Sequence, residues 1–273
     1  MGKIRLFIFH TGRVRVDQAI PLHEGNPLAV TGLFRSRAKQ MILPVSAYLI
    51  MHPKGNLLID TGWDTRYAHE RPKQLFGMVD RISAPIITDG EGIDSKLAAV
   101  GMHPEDIAHV FLSHMDFDHT SGLRLLRGAK DIRCSEEEWV ACSRPSLRYI
   151  DTWTGVCTVG TFSYAQSGIG PVGRSYDVFG DGTLLLVHTP GHSHGLFSAR
   201  IRGRDGYIVL GNDAAYLPES FSEHRIPGFV VNRRLAEKSL DWLIQCRQDP
   251  SCMGVYVNHD PTVSEQERVM DIW

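Results

Sequence analysis

Ser113-His114-Met115-Asp116-Phe117-Asp118-His119 follows the apolar stretch Val110-Phe111-Leu112, and the reading of the chain starts from this junction. Two imidazoles and two carboxylates fall between positions 114 and 119. Unpaired charges are expensive to bury, so such a run makes poor core. It makes good sense as a set of metal ligands projecting from a loop at the end of a buried strand. The rest of the chain therefore has to supply their partners.

Four other points carry candidate ligands, each just after a strand-like run. His192 lies in Thr189-Pro190-Gly191-His192-Ser193-His194-Gly195, behind Leu184-Leu185-Leu186-Val187. Asp213 follows Val209-Leu210-Gly211-Asn212, His259 follows Val255-Tyr256-Val257-Asn258, and Asp60 follows Leu58-Ile59. Strand ends bring distant segments together on one sheet edge, so these side chains can converge with the 114–119 run. Taken singly, His259 also reads as a satisfied histidine, Asp60 as a turn cap and Tyr216 as a half-buried tyrosine, while His194 reads first as a loop residue.

Outward from the ligands, strands are expected at Ile4–Phe9, Val45–Met51 and Leu57–Ile59, the last two joined by a turn at Pro53-Lys54-Gly55-Asn56. The segment Trp63 to Gly92 reads as helix and loop over the cleft. Asp94–Val100 has a helical pattern with Gly101 as its stop, His109–Leu112 is a strand, and Leu123–Leu126 continues as helix. Ser135 before Glu136, Glu137 and Glu138 is an N-cap with acids in the first turn of a helix running to about Cys142. Leu184–His188, Phe197–Ile201 and Tyr207–Leu210 read as strands, the last two joined by a turn at 203–206. Leu235–Cys246 is an amphipathic helix and Val255–Val257 a final buried strand. With no repeat, low-complexity segment or linker, this alternation fits an α/β domain of two sheets with outer helices, spanning 1–273.

Composition narrows the function. Hydrophobic residues make up 42 % and charged residues 22 %, ordinary for a globular chain with a sizeable core. A net charge of −2 gives no support for a nucleic-acid partner, and no apolar run is long enough to cross a bilayer. Met1–Phe9 lacks the apolar run and cleavage site of a signal peptide and reads as a first strand. Cys134, Cys142, Cys157, Cys246 and Cys252 are odd in number and show no CxxC spacing, which points away from a disulfide framework and toward a reducing, cytoplasmic location.

Asp60-Thr61-Gly62, the 114–119 run, Thr189-Pro190-Gly191-His192, Gly211-Asn212-Asp213 and His259, in that order, resemble the metallo-β-lactamase-fold hydrolases over almost the whole chain. Within them the chain is most similar to the N-acyl-homoserine lactone lactonases, through His10-Thr11-Gly12-Arg13 after strand one, Leu43-Pro44-Val45 leading into a strand, and Asp213-Ala214-Ala215-Tyr216. The resemblance implies a four-layer αβ/βα sandwich. It implies two divalent ions, zinc first, with iron or manganese as alternatives. His114, His192 and residue 116 would hold one ion, Asp118, His119 and His259 the other, with Asp213 bridging and Asp60 behind a ligating histidine. The implied reaction is hydrolysis of a lactone by a hydroxide between the metals, with Tyr216 on the substrate carbonyl and Asp118 or Asp213 moving the proton. The substrate is a small molecule, the partner no membrane or nucleic acid, the assembly a monomer or homodimer. Trp63, Tyr67, Phe76 and Met78 are offered as walls of an acyl pocket or as plain packing.

One residue departs from the pattern. The family has HxHxDH, whereas this chain has HxDxDH with Asp116. Three carboxylates and a hydroxide would balance two divalent ions, leaving a neutral core and a weaker Lewis acid. Either Asp116 ligates, or the first site is weak or empty. The other readings are a thioesterase of glyoxalase II type, a phosphodiesterase, a different lactonase, and a non-catalytic binding module on a decayed hydrolase fold. A flavin-linked iron oxidoreductase would also place a carboxylate near 116, but it needs a flavodoxin-like domain for which this chain has no room.

Overall fold

Apolar residues alternate along the longest strand: Ile4, Leu6 and Ile8 face one way, Phe7 and Phe9 the other, and all are buried. A strand buried on both faces lies between two layers. The computed structural model describes residues 2–26, 28–70 and 82–272, and shows that arrangement. Among these residues the first sheet has β1 (Lys3–Asp17), β2 (Gln40–His52), β3 (Gly55–Ile59), β4 (Ala84–Ile86), β5 (Ile107–Phe111), β6 (Ile132–Ser135), β7 (Val159–Phe162) and β14 (Gln266–Asp271). Its order is β14-β1-β2-β3-β5-β6-β7, with β4 on β1. The second sheet contains β8 (Ala165–Gln166), β9 (Arg174–Asp177), β10 (Leu184–His188), β11 (Phe197–Arg202), β12 (Tyr207–Asn212) and β13 (Cys252–Val257), in the order β13-β12-β11-β10-β9-β8.

Ile4, Leu6, Ile8, Tyr48, Ile50 and Phe111 of the first sheet meet Leu184, Leu186, Phe197, Ala199 and Leu210 of the second. The outer face of the first sheet packs Leu49, Leu58 and Val110 against Ile93 and Leu97 of helix α1 (Ile93–Ala99). The short helix α2 (Phe117–Thr120) and helix α3 (Glu136–Cys142) follow β5 and β6, and α4 (Pro218–Ser222) follows β12. Helix α5 (Arg233–Gln248) covers the outer face of the second sheet. Its Ala236, Leu240 and Leu243, at helical spacing, bury against Val209 and Val257. The result is the expected four layers.

Most expected elements are present. The turn after β2 pairs His52 with Gly55, Ser135 caps α3 by accepting from Glu138 N, and β10 has the bounds read from the sequence. Four readings need correction. The His10-Thr11-Gly12-Arg13 segment lies inside β1, which continues to Asp17 through a bulge between His10 and Arg13. Pro44 likewise sits inside β2, opposite that bulge, where a missing N–H is tolerated. Val255–Val257 is neither the last strand nor fully buried, since β14 follows it and only Val257 of the three is buried. Leu123–Leu126 forms part of a 3-10 turn, Ser121–Leu126.

Candidate metal centre

Every candidate ligand sits just beyond the end of a strand: Asp60 after β3, the 114–119 run after β5, His192 after β10, Asp213 after β12 and His259 after β13. The carboxyl ends of parallel strands β3/β5 and β12/β13 open onto the same crevice, the usual ligand position in α/β sheets. Close turns make this possible. At Gly62 (φ 65°) an added Cβ would stand 1.7 Å from Thr11 Oγ1, and at Gly191 (φ 134°) one would stand 2.1 Å from Ala236 N. Only glycine fits where those loops press on β1 and on α5.

The ligand atoms converge. His114, Asp116 and His192 form one cluster, and Asp118, His119 and His259 another, each within 4.8 Å. Asp213 lies between them, with Oδ1 3.4 Å from His119 Nε2 and Oδ2 3.3 Å from His259 Nε2 and 3.6 Å from His192 Nε2. His119 Nε2 and Asp213 Oδ1 are buried and make no hydrogen bond. Buried polar atoms are normally satisfied, so this pair marks the place where a cation fits.

Three imidazoles are oriented from behind. His119 Nδ1 donates to Asp60 Oδ2 at 2.8 Å, and His259 Nδ1 donates to the Pro44 carbonyl at 2.8 Å. Ser113 Oγ donates to Asp60 Oδ2 at 2.7 Å and takes the His114 Nδ1 proton at 3.0 Å. Each arrangement leaves the Nε2 lone pair facing the centre. Asp60 thus holds His119 directly and His114 through Ser113. Burial alone would lower the His119 and His259 imidazoles, but Asp213 and its neighbouring carboxylates reverse this and hold both above their ordinary value. The second cluster is a pocket of negative charge.

The first cluster differs, and a residue missed in the sequence explains it. Arg148 makes a two-pronged ion pair with Asp116, Nε to Oδ1 and Nη2 to Oδ2, both at 2.6 Å. Its Nη1 donates to the His192 carbonyl at 2.6 Å and its Nη2 to His192 Nε2 at 2.8 Å. Burial and then Arg148 lower the His192 imidazole. Burial would raise the Asp116 carboxyl, but Arg148 and His114 hold it well below its usual range. The charge count read from sequence therefore omitted one guanidinium. Glu138 was also missed. Read as a helix-start acid, it is fully buried and accepts from Met115 N, Ser193 Oγ and Gly195 N, tying both ligand loops together. Neither residue carried a spacing signal.

Tyr216 is buried, donates to Asp213 Oδ2 and stacks on His259 with ring centroids 4.7 Å apart. Burial and the Asp213 charge push its phenol up, so it remains a donor. His194 is exposed and belongs to neither ligand cluster. Among the described residues a narrow pocket of about 90 Å³ over the centre is walled by Val14, Val16, Ile20, Ile150 and Phe229. Trp63 and Tyr67 instead pack on Phe117, while Phe76 and Met78 lie outside the described residues.

The model of the metallo-beta-lactamase superfamily matches residues 42–251. The chain belongs to that superfamily. It is 28 % identical to N-acyl homoserine lactonase AttM of Azorhizobium caulinodans, over 96 % of this chain and 95 % of the relative. It is also 28 % identical to an N-acyl homoserine lactonase of Bacillus cereus, over 83 % and 84 %. An N-acyl homoserine lactone hydrolase structure with N-hexanoyl-L-homoserine at its catalytic metal centre superposes with TM-score 0.74 at 24 % identity, covering 96 % and 95 %. The superfamily's sandwich is thus the architecture of this chain. No helix among the described residues is long and apolar enough to cross a membrane.

Proposed function

We propose that this chain is a metal-dependent hydrolase that opens a lactone of the N-acyl-homoserine type. The observation that carries the reading is the unsatisfied His119–Asp213 pair inside a ring of oriented histidines, in a chain similar to named lactonases along nearly its whole length. Asp118, His119, His259 and Asp213 would hold a divalent ion. Their mixture of imidazole and carboxylate suits zinc, with iron or manganese as the harder alternatives. The second ion that the family resemblance implies would need His114, Asp116 and His192, a set that Arg148 already engages. Held by Asp118, His119, His259 and Asp213, a divalent ion would supply Lewis acidity and an activated water.

The chain's own groups do the rest. The apolar walls of the pocket hold the acyl chain and exclude bulk water. The Tyr216 hydroxyl turns from Asp213 to the substrate carbonyl oxygen and donates to it as negative charge develops. Asp118, half-buried at the pocket floor, takes the proton released in the attack and returns it to the departing ring oxygen. The five cysteines are unpaired, which favours a reducing compartment and a cytoplasmic location. Residues 1–273 would form one such domain, acting on a small molecule without nucleic acid or membrane, as monomer or homodimer.

The test is a hydrolysis screen of metal-replete protein on lactones varied in ring and acyl chain, beside a thioester panel. Ring opening of acyl-homoserine lactones is the expected result. Turnover of thioesters alone would move the chain to the glyoxalase II type of reaction, and no lactone opened would end the proposal.

A further inference from the structure

We propose that Arg148 is the resident cation of the first donor set, so that the chain takes one divalent ion, at Asp118, His119, His259 and Asp213, where its relatives' pattern would take two. The inference rests on the metal-dependent reading above and concerns how many ions that reading needs.

Arg148 uses the atoms an ion would use. Both Asp116 oxygens accept from the guanidinium at 2.6 Å. An arginine N–H can only donate, so its 2.8 Å contact with His192 Nε2 consumes the lone pair of that nitrogen. A zinc ion stands about 2.1 Å from imidazole nitrogen and carboxylate oxygen alike. An ion bound to His192 Nε2 and Asp116 Oδ2 would have to take from Nη2 the two atoms it already engages, and its charge has the same sign.

The guanidinium is held as a built part of the fold. The Arg148 side chain is only 8 % exposed, a third prong reaches the His192 carbonyl, and its Cζ lies over the Phe229 ring, 4.8 Å from the centroid. Planar two-pronged pairing and stacking of this kind belong to arginine and not to lysine. His192 is also the exception among the four histidines. Its Nδ1 is buried without a partner, whereas those of His114, His119 and His259 are each fixed by an acceptor. The rear hydrogen bond that orients metal-binding imidazoles is missing at the one ring Arg148 contacts.

The departure at position 116 then has a cause. A histidine there could not receive a two-pronged guanidinium, whereas an aspartate can, and Asp116 with Arg148 makes a balanced pair. Arg148 also lines the pocket over the centre, so its charge is presented to whatever occupies that pocket. The positive charge of the missing ion is supplied by a side chain that no chelator removes.

Cobalt(II) titration of the whole chain, followed by its visible absorption, and elemental analysis after zinc loading and dialysis give the stoichiometry without reference to turnover. The wild type is expected to saturate and to retain ions at one equivalent. The double variant Arg148→Met, Asp116→His is expected to reach two. Two dialysis-stable ions in the wild type would overturn the proposal, and lactone turnover by the same sample would leave the hydrolase reading standing. A folded double variant that stops at one equivalent would also overturn it. No retained ion in the wild type would remove both. Should the double variant not fold, the wild-type end point decides.

Discussion

Asp60 spends both carboxylate oxygens on the ligand loop, taking Ser113 N on Oδ1 and Ser113 Oγ with His119 Nδ1 on Oδ2. It does so from a left-handed backbone, φ 61°, which asparagine also tolerates. Asp60→Asn therefore changes the chemistry and spares the turn. An amide nitrogen cannot accept the His119 proton, so the ring loses the contact that aims Nε2 inward. Ion affinity should fall about 10–100-fold, read by competition with a chromophoric chelator. Unchanged affinity would mean that His119 is oriented by packing alone. Tyr216→Phe tests a different atom. The ring keeps its stack on His259 and only the donor is lost. Turnover of the lactone should drop about a hundredfold with KM little altered, as for removal of one donor to a developing oxyanion. An unchanged kcat would make Tyr216 a packing residue.

At the scale of elements, strand β1 ends in a charged knot that supports the pocket wall. Asp17, fully buried, accepts from Arg35 Nε at 2.9 Å and Nη2 at 2.6 Å, and Arg35 Nη1 reaches Glu24 at 2.8 Å. The hydrogen bond from Arg35, with that from Gln18, lowers the Glu24 carboxyl to about 2. Because this value lies below the ordinary 4.5, its stabilising contribution is full above pH 4.5 and disappears as pH falls toward 2. Arg35→Ala should lose that acid-range dependence in melting scans. At neutral pH it should also cost about 3 kcal/mol, because Asp17 is left buried and unpaired. The elements legible in the sequence are those whose burial shows as a pattern. The apolar run of β10 and the helical spacing of α5 are of this kind, and so are ligands at strand ends. Strand β14, Gln266–Asp271, was not, because only Met270 is buried and an edge strand with one wet face carries no apolar run. Arg148 and Glu138 were illegible for another reason. Their partners lie far along the chain, Asp116 at a separation of 32 and Gly195 at 57, and a single charge has no period.

At the scale of the whole molecule, the centre is a seam. His114, Asp118 and His119 follow a strand of the first sheet, while Asp213 and His259 follow strands of the second. The seam is closed by Asn258, which exchanges three hydrogen bonds with Ser46, and by His259 on Pro44. The carboxylates of Asp118 and Asp213 meet on this seam at His259 Nε2, 3.5 and 3.3 Å away. An ion bound there contacts both sheets and has no preformed site in the unfolded chain, so its binding free energy becomes folding free energy. At a thousandfold excess over its dissociation constant, the gain is about 4 kcal/mol. For a chain of this size that amounts to a rise of roughly 8–16 °C in melting temperature. Scanning fluorimetry of chelator-stripped protein, with and without zinc, reads this directly, and fresh chelator should reverse it. If zinc instead bound only surface histidines such as His69 or His224, which are exposed, the melting temperature would stay where the stripped protein has it. A shift that follows Asp60→Asn downward would place the stabilising ion at the seam.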